Sequence, residues 1–211
     1  MSFVGMANLS LLYGLPLYWG IMVIVEEAYL PLTLYVPDLS EAKFQEFCDQ
    51  YADFRLEYTA EGELLIMPPT DRHTSLRNAK IVFHLMRWAE ADGQGEVTES
   101  SGGFTLGNGA RRSPDAAWSS HERFAIGACP EFVIELLSPS DRPKVTRAKM
   151  REWIDNGAEL GWMINPATRT VTVFRAGAEP VEPVEMVGLV ELAGEGAVAG
   201  FVLELGQVWG S

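Results

Sequence analysis

The pattern of apolar and polar positions switches along the chain between the period of a helix and the period of a strand. Residues 71–91 and 143–156 place apolar side chains at helical spacing, so two helices are predicted there. Residues 95–106, GEVTESSGGFTL, predict two short strands joined by a glycine turn, and the runs LGWMIN at 160–165 and RTVTVFRA at 169–176 predict two more strands. This order of elements predicts an α/β domain around a mixed central β-sheet flanked by helices.

The first part of the chain is unusual, because residues 3–25 contain no charged side chain. This length alone would permit a membrane span. Asn8 and Pro16 interrupt the stretch, however, and no lysine or arginine precedes it, as a secretory signal or an oriented span would require. We therefore predict an apolar N-terminal leader over residues 1–38, with a membrane anchor as the alternative, and a single domain over residues 39–211.

One carboxylate interrupts an apolar strand pattern in EFVIELLSPSD, residues 131–141. Glu135 stands between Ile134 and Leu136 in a short run that is typical of a buried strand. A buried carboxylate without a partner costs several kcal/mol or more. Glu135 therefore needs a cation beside it, which is either a basic side chain or a metal ion.

A second carboxylate, Asp115, follows Pro114 in the predicted strand SPDAAWS at residues 113–119. Carboxylate oxygens are hard ligands suited to Mg²⁺, which typically takes one or two protein carboxylates and keeps waters in its other positions. A divalent ion shared with Asp115 would neutralise Glu135. The sequence thus predicts a site for Mg²⁺ or Mn²⁺, and an ordinary buried ion pair is the alternative.

The helix predicted over residues 143–156 is basic, and one of its lysines points in a different direction from the other cations. At 100° per residue, Lys149 falls on the same arc as Met150 and Trp153, whereas the other basic residues fall outside it. Lys149 lies about 10 Å along the helix and Glu135 about 10 Å back from its strand end, from rises of about 1.5 and 3.3 Å per residue. The Lys149 ammonium is therefore predicted to reach Glu135.

Three ordered motifs resemble a known family: S-P-D at 113–115, E-x-x-S-P-S-D at 135–141 and R-A-K-M-x-x-W-x-x-N-G at 147–157. Together they resemble the Uma-two family of the PD-(D/E)XK, restriction-endonuclease-like superfamily. The resemblance runs from about Ser40 to Trp209. It implies an α/β fold with a restriction-endonuclease-like core, in which helices flank a mixed central β-sheet and additional β-strands are present.

The resemblance also implies chemical roles for the three polar residues. In that superfamily an Asp and a Glu hold a divalent metal and a Lys assists the water that attacks a phosphodiester, which carries these roles to Asp115, Glu135 and Lys149. The backbone carbonyl of Leu136 is the implied further metal ligand. The chain departs from the superfamily pattern at Leu137, where an E-x-K motif has its lysine. The implied activity is that of an Mg²⁺- or Mn²⁺-dependent DNA endonuclease.

Four further residues are candidates beside these three. His73 in PPTDRHTS, at the start of the long helix, is either an additional member of the site or an ordinary helix-end histidine. Arg111, Arg112 and Arg147 are candidates for positioning the DNA backbone, because a guanidinium group binds phosphate well.

Charge and cysteine content limit the function further. The net charge of −13 and the pI near 4.6 argue against a protein that coats DNA, but not against an enzyme with one local basic surface. The two cysteines form no C-x-x-C pair, which excludes a disulfide scaffold and fits the reducing cytoplasm. No stable membrane partner is expected, and DNA is the expected partner.

A second class of function stays open on the sequence alone. The chain would keep the nuclease fold without cleaving DNA and would act as a binding or structural module. The acidic composition favours this alternative, as does the lack of a clear DNA-reading element. A homodimer is compatible with both classes.

Overall fold

The computed structural model describes residues 13–17, 21–25, 30–177 and 182–210. The chain divides into two compact units, Met1–Pro69 and Thr70–Ser211. Half of the leader predicted over residues 1–38 falls outside the described residues, and its boundary with the following domain stays a prediction. No helix in the described ranges is long and apolar enough to cross a membrane.

Unit 1 is built mainly from antiparallel strands. Its described elements are β1 (Tyr13–Leu17), β2 (Ile21–Val25), β3 (Leu32–Tyr35), α1 (Glu41–Gln50), β4 (Arg55–Tyr58) and β5 (Glu63–Met67). Strand β1 pairs with β2, and β5 pairs with β3 on one side and β4 on the other. Ser40 caps α1, because its hydroxyl accepts a hydrogen bond from the Lys43 amide. Phe47, Leu64 and Ile66 belong to the small apolar core of this unit.

Unit 2 contains the larger sheet. Its elements are, in chain order, α2 (Arg72–Asp92), β6 (Gly95–Glu99), β7 (Phe104–Thr105), β8 (Arg111–Arg112), β9 (Ala116–Ser120), α3 (His121–Ala125), β10 (Phe132–Leu136), α4 (Pro143–Asp155), β11 (Leu160–Asn165), β12 (Thr170–Arg175), β13 (Val184–Val187), β14 (Glu191–Ala193), β15 (Val202–Glu204) and α5 (Leu205–Trp209). Six strands form a sheet in the order β13-β12-β11-β10-β9-β6. Strands β10 and β11 run parallel, while the other neighbours run antiparallel. The predicted α/β fold with a mixed sheet is confirmed.

Strand β10 divides the unit into two cores, because successive side chains of a strand point to opposite faces of the sheet. Phe132 and Ile134 pack with residues of α2 and α5 in one apolar cluster. Val133 packs with Met150 of α4 in a second cluster on the other face. By the same alternation, Glu135 lies on the face that α4 covers.

Helix α2 begins and ends within one residue of its prediction. Asp71 caps its start by accepting hydrogen bonds from the amides of His73 and Thr74. The Thr74 hydroxyl also donates to this carboxylate, and these bonds lower the pKa of Asp71 below its ordinary value. The helix ends at Gly93, which adopts a left-handed conformation with φ +68° that glycine tolerates without strain.

The two strands predicted in residues 95–106 exist, but they belong to different pairs. Strand β6 pairs with β9 in the six-stranded sheet, whereas β7 pairs with β8 outside that sheet. The glycines between them, Gly102 and Gly103, therefore connect two parts of the unit. The β7–β8 hairpin leads directly into Ser113-Pro114-Asp115.

Candidate active site

The carboxylate of Glu135 is buried on β10 and is paired. Only 4% of the residue is exposed to solvent. Its Oε1 atom lies 2.7 Å from Lys149 Nζ and accepts a hydrogen bond from Trp153 Nε1 at 3.2 Å. Two donors that lie one turn apart on α4 therefore meet the same carboxylate oxygen. This pairing offsets part of the cost of burying the charge.

The side chain of Lys149 joins two parts of the chain. Besides its ion pair with Glu135, its ammonium donates a hydrogen bond to the backbone carbonyl of Ser113 at 3.0 Å. Met150 and Trp153, on the same arc of α4, are fully buried against the sheet. The helix thus directs Lys149 towards the sheet, in the direction that helical spacing indicates.

Asp115 lies opposite Glu135 on the neighbouring segment. The antiparallel register pairs Phe132 with Trp118 and Ile134 with Ala116, and its extension by one residue pairs Glu135 with Asp115. Side chains at directly opposite positions have Cβ atoms about 4.5–5.5 Å apart. The Asp115 Oδ2 atom accepts a hydrogen bond from the Leu136 amide at 2.7 Å, which joins the two segments at this point.

Asn78 of α2 holds the backbone of this segment from the other side. Its side-chain amide donates to the backbone carbonyl of Asp115 at 3.0 Å. Asp115 itself is partly exposed, whereas Ser113 and Pro114 before it are buried. The site is therefore anchored in the core and reaches solvent at Asp115.

The donor atoms fit a hard divalent cation. Asp115 and Glu135 supply carboxylate oxygens, and backbone carbonyls such as that of Leu136 supply neutral oxygen, which is the chemistry that Mg²⁺ and Mn²⁺ prefer. Among the described residues, no cluster of three His, Cys, Asp or Glu side chains could hold a metal ion. A cation here would thus take two carboxylates and complete its coordination with carbonyl, water or phosphate oxygens.

The other predicted residues lie in different surroundings. His73 is exposed in the first turn of α2, where its amide binds the Asp71 cap and its ring lies 3.4 Å from Arg72 Nε. Arg147 is half-buried over the Phe174 ring and forms an ion pair with Glu185 at 3.3 Å. The structure therefore gives His73 a place in a helix cap and Arg147 a place at the edge of the α4 face.

Arg111 and Arg112 form the short strand β8, and they differ in exposure. Arg112 is buried, and its Nε atom lies 2.6 Å from Glu152 Oε2 of α4. Glu152 also accepts a hydrogen bond from Asn108 in the hairpin turn at 3.1 Å. Arg112 therefore ties the hairpin to the helix that carries Lys149. Arg111 is half-buried in the same strand.

Sequence reasoning assigned no part in the site to Trp153, Asn78 or the Ser113 carbonyl. A signal for Trp153 was present, because it follows Lys149 by four residues and so lies above it on the same helix face. Asn78 and the Ser113 carbonyl reach the site through packing between distant segments, for which no local spacing gives a signal.

The fold and the site together define the class of this protein. The mixed sheet, the flanking helices and the carboxylates beside a helix-borne lysine form an α/β protein with a restriction-endonuclease-like core. A crystal structure of an Anabaena variabilis protein described as a "putative nuclease belonging to DUF820" has the same fold, with a TM-score of 0.64 and 19% sequence identity. The similarity covers 74% of this chain and 89% of that chain.

The chain belongs to the Uma2 family. The family model, described as "Putative restriction endonuclease", matches residues 42–206. The match includes Asp115, Glu135 and Lys149, and it agrees with the family resemblance of the three motifs. A comparison with curated proteins found no match.

Proposed function

We propose that the chain is a divalent-metal-dependent DNA endonuclease, which hydrolyses phosphodiester bonds. The observation that carries the proposal is the 2.7 Å contact between Lys149 Nζ and Glu135 Oε1, next to the Asp115 carboxylate that accepts a hydrogen bond from the Leu136 amide. Membership of the Uma2 family supports the same class of activity, as does the fold shared with a protein described as a nuclease.

In this proposal Asp115, Glu135 and the Leu136 carbonyl hold Mg²⁺ or Mn²⁺. The bound ion supplies Lewis acidity, which polarises the phosphate and lowers the pKa of water. The protein prepares the two carboxylates in advance. The Leu136 amide orients the Asp115 carboxylate, and the Trp153 indole orients that of Glu135. Such pre-positioning reduces the reorganisation that a reaction would otherwise require.

Lys149 is proposed to act on the attacking water and on the phosphate. Its positively charged Nζ atom is held between the Glu135 carboxylate and the backbone carbonyl of Ser113, two residues before Asp115. This charge offsets the negative charge that develops on the phosphate, and the ammonium orients the attacking water by donating a hydrogen bond to it. A bond forms from the water oxygen to phosphorus and the bond to the 3′ oxygen breaks. The products are a 5′-phosphate and a 3′-hydroxyl, whose oxygen receives the proton.

DNA would approach from the side where Asp115 reaches solvent. Helix α4 presents exposed Lys144 and Arg151 and half-buried Arg147, and the two arginines pair with Glu182 and Glu185. Together with Arg111, these residues are proposed to position phosphates. Desolvation raises the pKa of the buried Cys129 thiol to about 11, so this thiol has no part in the proposed chemistry.

One observation favours a second candidate function. Lys149 and Trp153 already balance the Glu135 carboxylate without a metal ion. The same geometry would serve a protein that keeps the fold but binds DNA or another partner without cleaving it. The first candidate cleaves DNA and the second does not, so an activity assay separates them.

Nicking of supercoiled plasmid in the presence of Mg²⁺ or Mn²⁺ tests the proposed function. The wild type nicks the plasmid, and Asp115→Asn lowers the rate by about 10³-fold, since a catalytic metal contributes several kcal/mol to the barrier. Asp155→Asn, an exposed aspartate at the end of α4, is the matched control and keeps full activity. Activity that persists in Asp115→Asn contradicts the proposal, as does a wild type that never nicks DNA.

Thermal unfolding with millimolar Mn²⁺ tests the metal site without any substrate. A ligand that binds only the folded state raises the melting temperature. We expect this increase for the wild type and for Asp155→Asn, and its loss in Asp115→Asn. A wild-type melting temperature that does not respond to either metal favours the non-cleaving alternative.

A further inference from the structure

Helix α2 exposes a row of large apolar side chains on the face opposite its core contacts. Leu76, Phe83 and Met86 are 49%, 59% and 47% exposed. Ala79, which lies between them on the helix surface, is also exposed. The core of unit 2 takes a different set of α2 residues, including Ile81 and Leu85. The helix is therefore apolar on two faces, and only one of them packs on the sheet.

The exposed row has the spacing of a coiled-coil seam. Its members stand at positions 72, 76, 79, 83, 86 and 90, so the steps alternate between four and three residues. This alternation is the heptad spacing that keeps one seam facing a partner helix. The row is about 27 Å long at about 1.5 Å per residue. It begins with Arg72 and ends with Glu90, both exposed, so opposite charges stand at its two ends.

The seam is complementary to itself when two copies run antiparallel. A two-fold axis level with residue 81 places Arg72 of one copy opposite Glu90 of the other. It also places Leu76 opposite Met86, and Ala79 opposite Phe83, so that the largest side chain of the seam meets the smallest. A parallel pairing in register would instead place like charges together at both ends, which is destabilising. Antiparallel pairing also opposes the two helix dipoles favourably.

We propose that the outer face of α2 is a homodimer interface, at which α2 of one copy packs antiparallel against α2 of a second copy. The partner is another copy of this chain, because the charges and side-chain sizes of the seam match their own reversed order. This interface does not depend on the proposed nuclease activity, since none of its residues belongs to the candidate active site.

Sedimentation velocity of the full chain over a range of concentrations tests the proposal. The wild type shows a monomer–dimer equilibrium. Phe83→Lys places a charge at the centre of the seam and raises the dissociation constant by at least about 30-fold, as expected for a central interface residue. Phe124→Lys, on α3, is the matched control, because the Phe124 side chain is 48% exposed and lies outside the seam. This variant is expected to leave the dimerisation equilibrium unchanged.

A wild type that stays monomeric at 100 times the protein concentration of the nicking assay overturns the proposal. A Phe83→Lys variant that dimerises like the wild type also overturns it. The circular dichroism spectrum of each variant must match that of the wild type, and Phe83→Ser replaces any variant that does not fold.

Exchange of the terminal charges tests the antiparallel orientation. Arg72→Glu and Glu90→Arg each place like charges together and weaken dimerisation by about 3–10-fold, the range expected for exposed charge pairs. The double variant Arg72→Glu/Glu90→Arg restores the opposite charges and returns the dissociation constant to near the wild-type value. If the double variant dimerises more weakly than either single variant, the antiparallel pairing is excluded. It is also excluded if both single variants dimerise as tightly as the wild type.

Discussion

Both faces of the six-stranded sheet carry an apolar core, but they differ where strand β10 contributes Glu135 to one of them. On the α2 face, Phe132 and Ile134 lie in a continuous apolar core. On the α4 face, the next residue of the same strand is Glu135, in contact with Lys149. Burial of apolar groups stabilises the fold at either face, but a buried ion pair contributes little net stability compared with apolar side chains of similar size. The comparison indicates that one face is optimised for stability and the other retains a costly polar pair for another purpose.

The largest expected effect is on the α4 face, where Lys149→Met removes one member of the buried pair. The variant leaves the Glu135 carboxylate buried without its cation, so we expect a loss of about 3–5 kcal/mol in the free energy of unfolding. Urea unfolding measures this loss. The double variant Lys149→Met/Glu135→Leu removes both charges and is expected to recover most of the lost stability while losing all nicking activity.

Lys144→Met is the control for this prediction, because Lys144 is exposed on the same helix. Its unfolding free energy is expected to stay within about 0.5 kcal/mol of the wild type. A double variant as unstable as Lys149→Met alone would show that the pair stabilises the fold, and the contrast between the two faces would then disappear.

The α2 face is tested by Ile134→Ala, one residue before Glu135 on the same strand. Ile134 is fully buried, and its truncation is expected to cost about 2–5 kcal/mol of stability through lost contacts and a cavity. Activity per folded molecule should remain, since the side chain points away from the site. Nicking assays at a temperature where the variant is folded measure this. A large loss of activity in the folded variant would show that the two faces are not independent.

A smaller effect is expected from Trp153→Phe, which retains most of the packing and removes the indole N–H that binds Glu135. The free energy of unfolding should fall by about 1–3 kcal/mol, the cost of leaving a buried group without its hydrogen bond. The rate of nicking should fall by about 10-fold or more, as observed when a partner that orients a metal ligand is removed. The control is Trp209→Phe, because the Trp209 indole donates to the Leu189 carbonyl, outside the site. Equal activity in both variants would remove Trp153 from the site.

The smallest effect concerns the cap of α2. The folded state lowers the pKa of Asp71, so the cap stabilises the protein above the ordinary carboxyl pKa and loses this effect as the pH falls through the lowered pKa. Asp71→Ala should therefore lower the melting temperature at pH 7, and the difference from wild type should shrink below about pH 4. A difference that is constant down to pH 2 would mean that the carboxylate charge does not contribute.

Local patterns explain which parts of this molecule were predictable. The limits of α2 follow from Asp71 and Gly93, and the direction of Lys149 follows from its position relative to Trp153 on one helix. The alternation of β10 determines the face on which Glu135 lies. Each of these features depends on residues within a few positions of one another, and such features are encoded in short stretches of sequence.

Features that depend on pairing between distant segments were not predictable. The strands β6 and β7 lie close in sequence but have different partners, because strand pairing is decided by the packing of the whole sheet. The burial of Arg112 against Glu152 could not be read from its neighbours, since an arginine beside a turn is usually exposed. The apolar residues of α2 likewise do not reveal by themselves which of them face solvent.

The single parallel pair in the sheet has a consequence for how such a site could change in evolution. Strands β10 and β11 run in the same direction, so the chain between them must cross the sheet, and α4 is that crossing. Any helix in this connection passes over the buried strand whatever its sequence. Single substitutions in α4 can therefore change which side chain meets Glu135, with no change in the path of the chain.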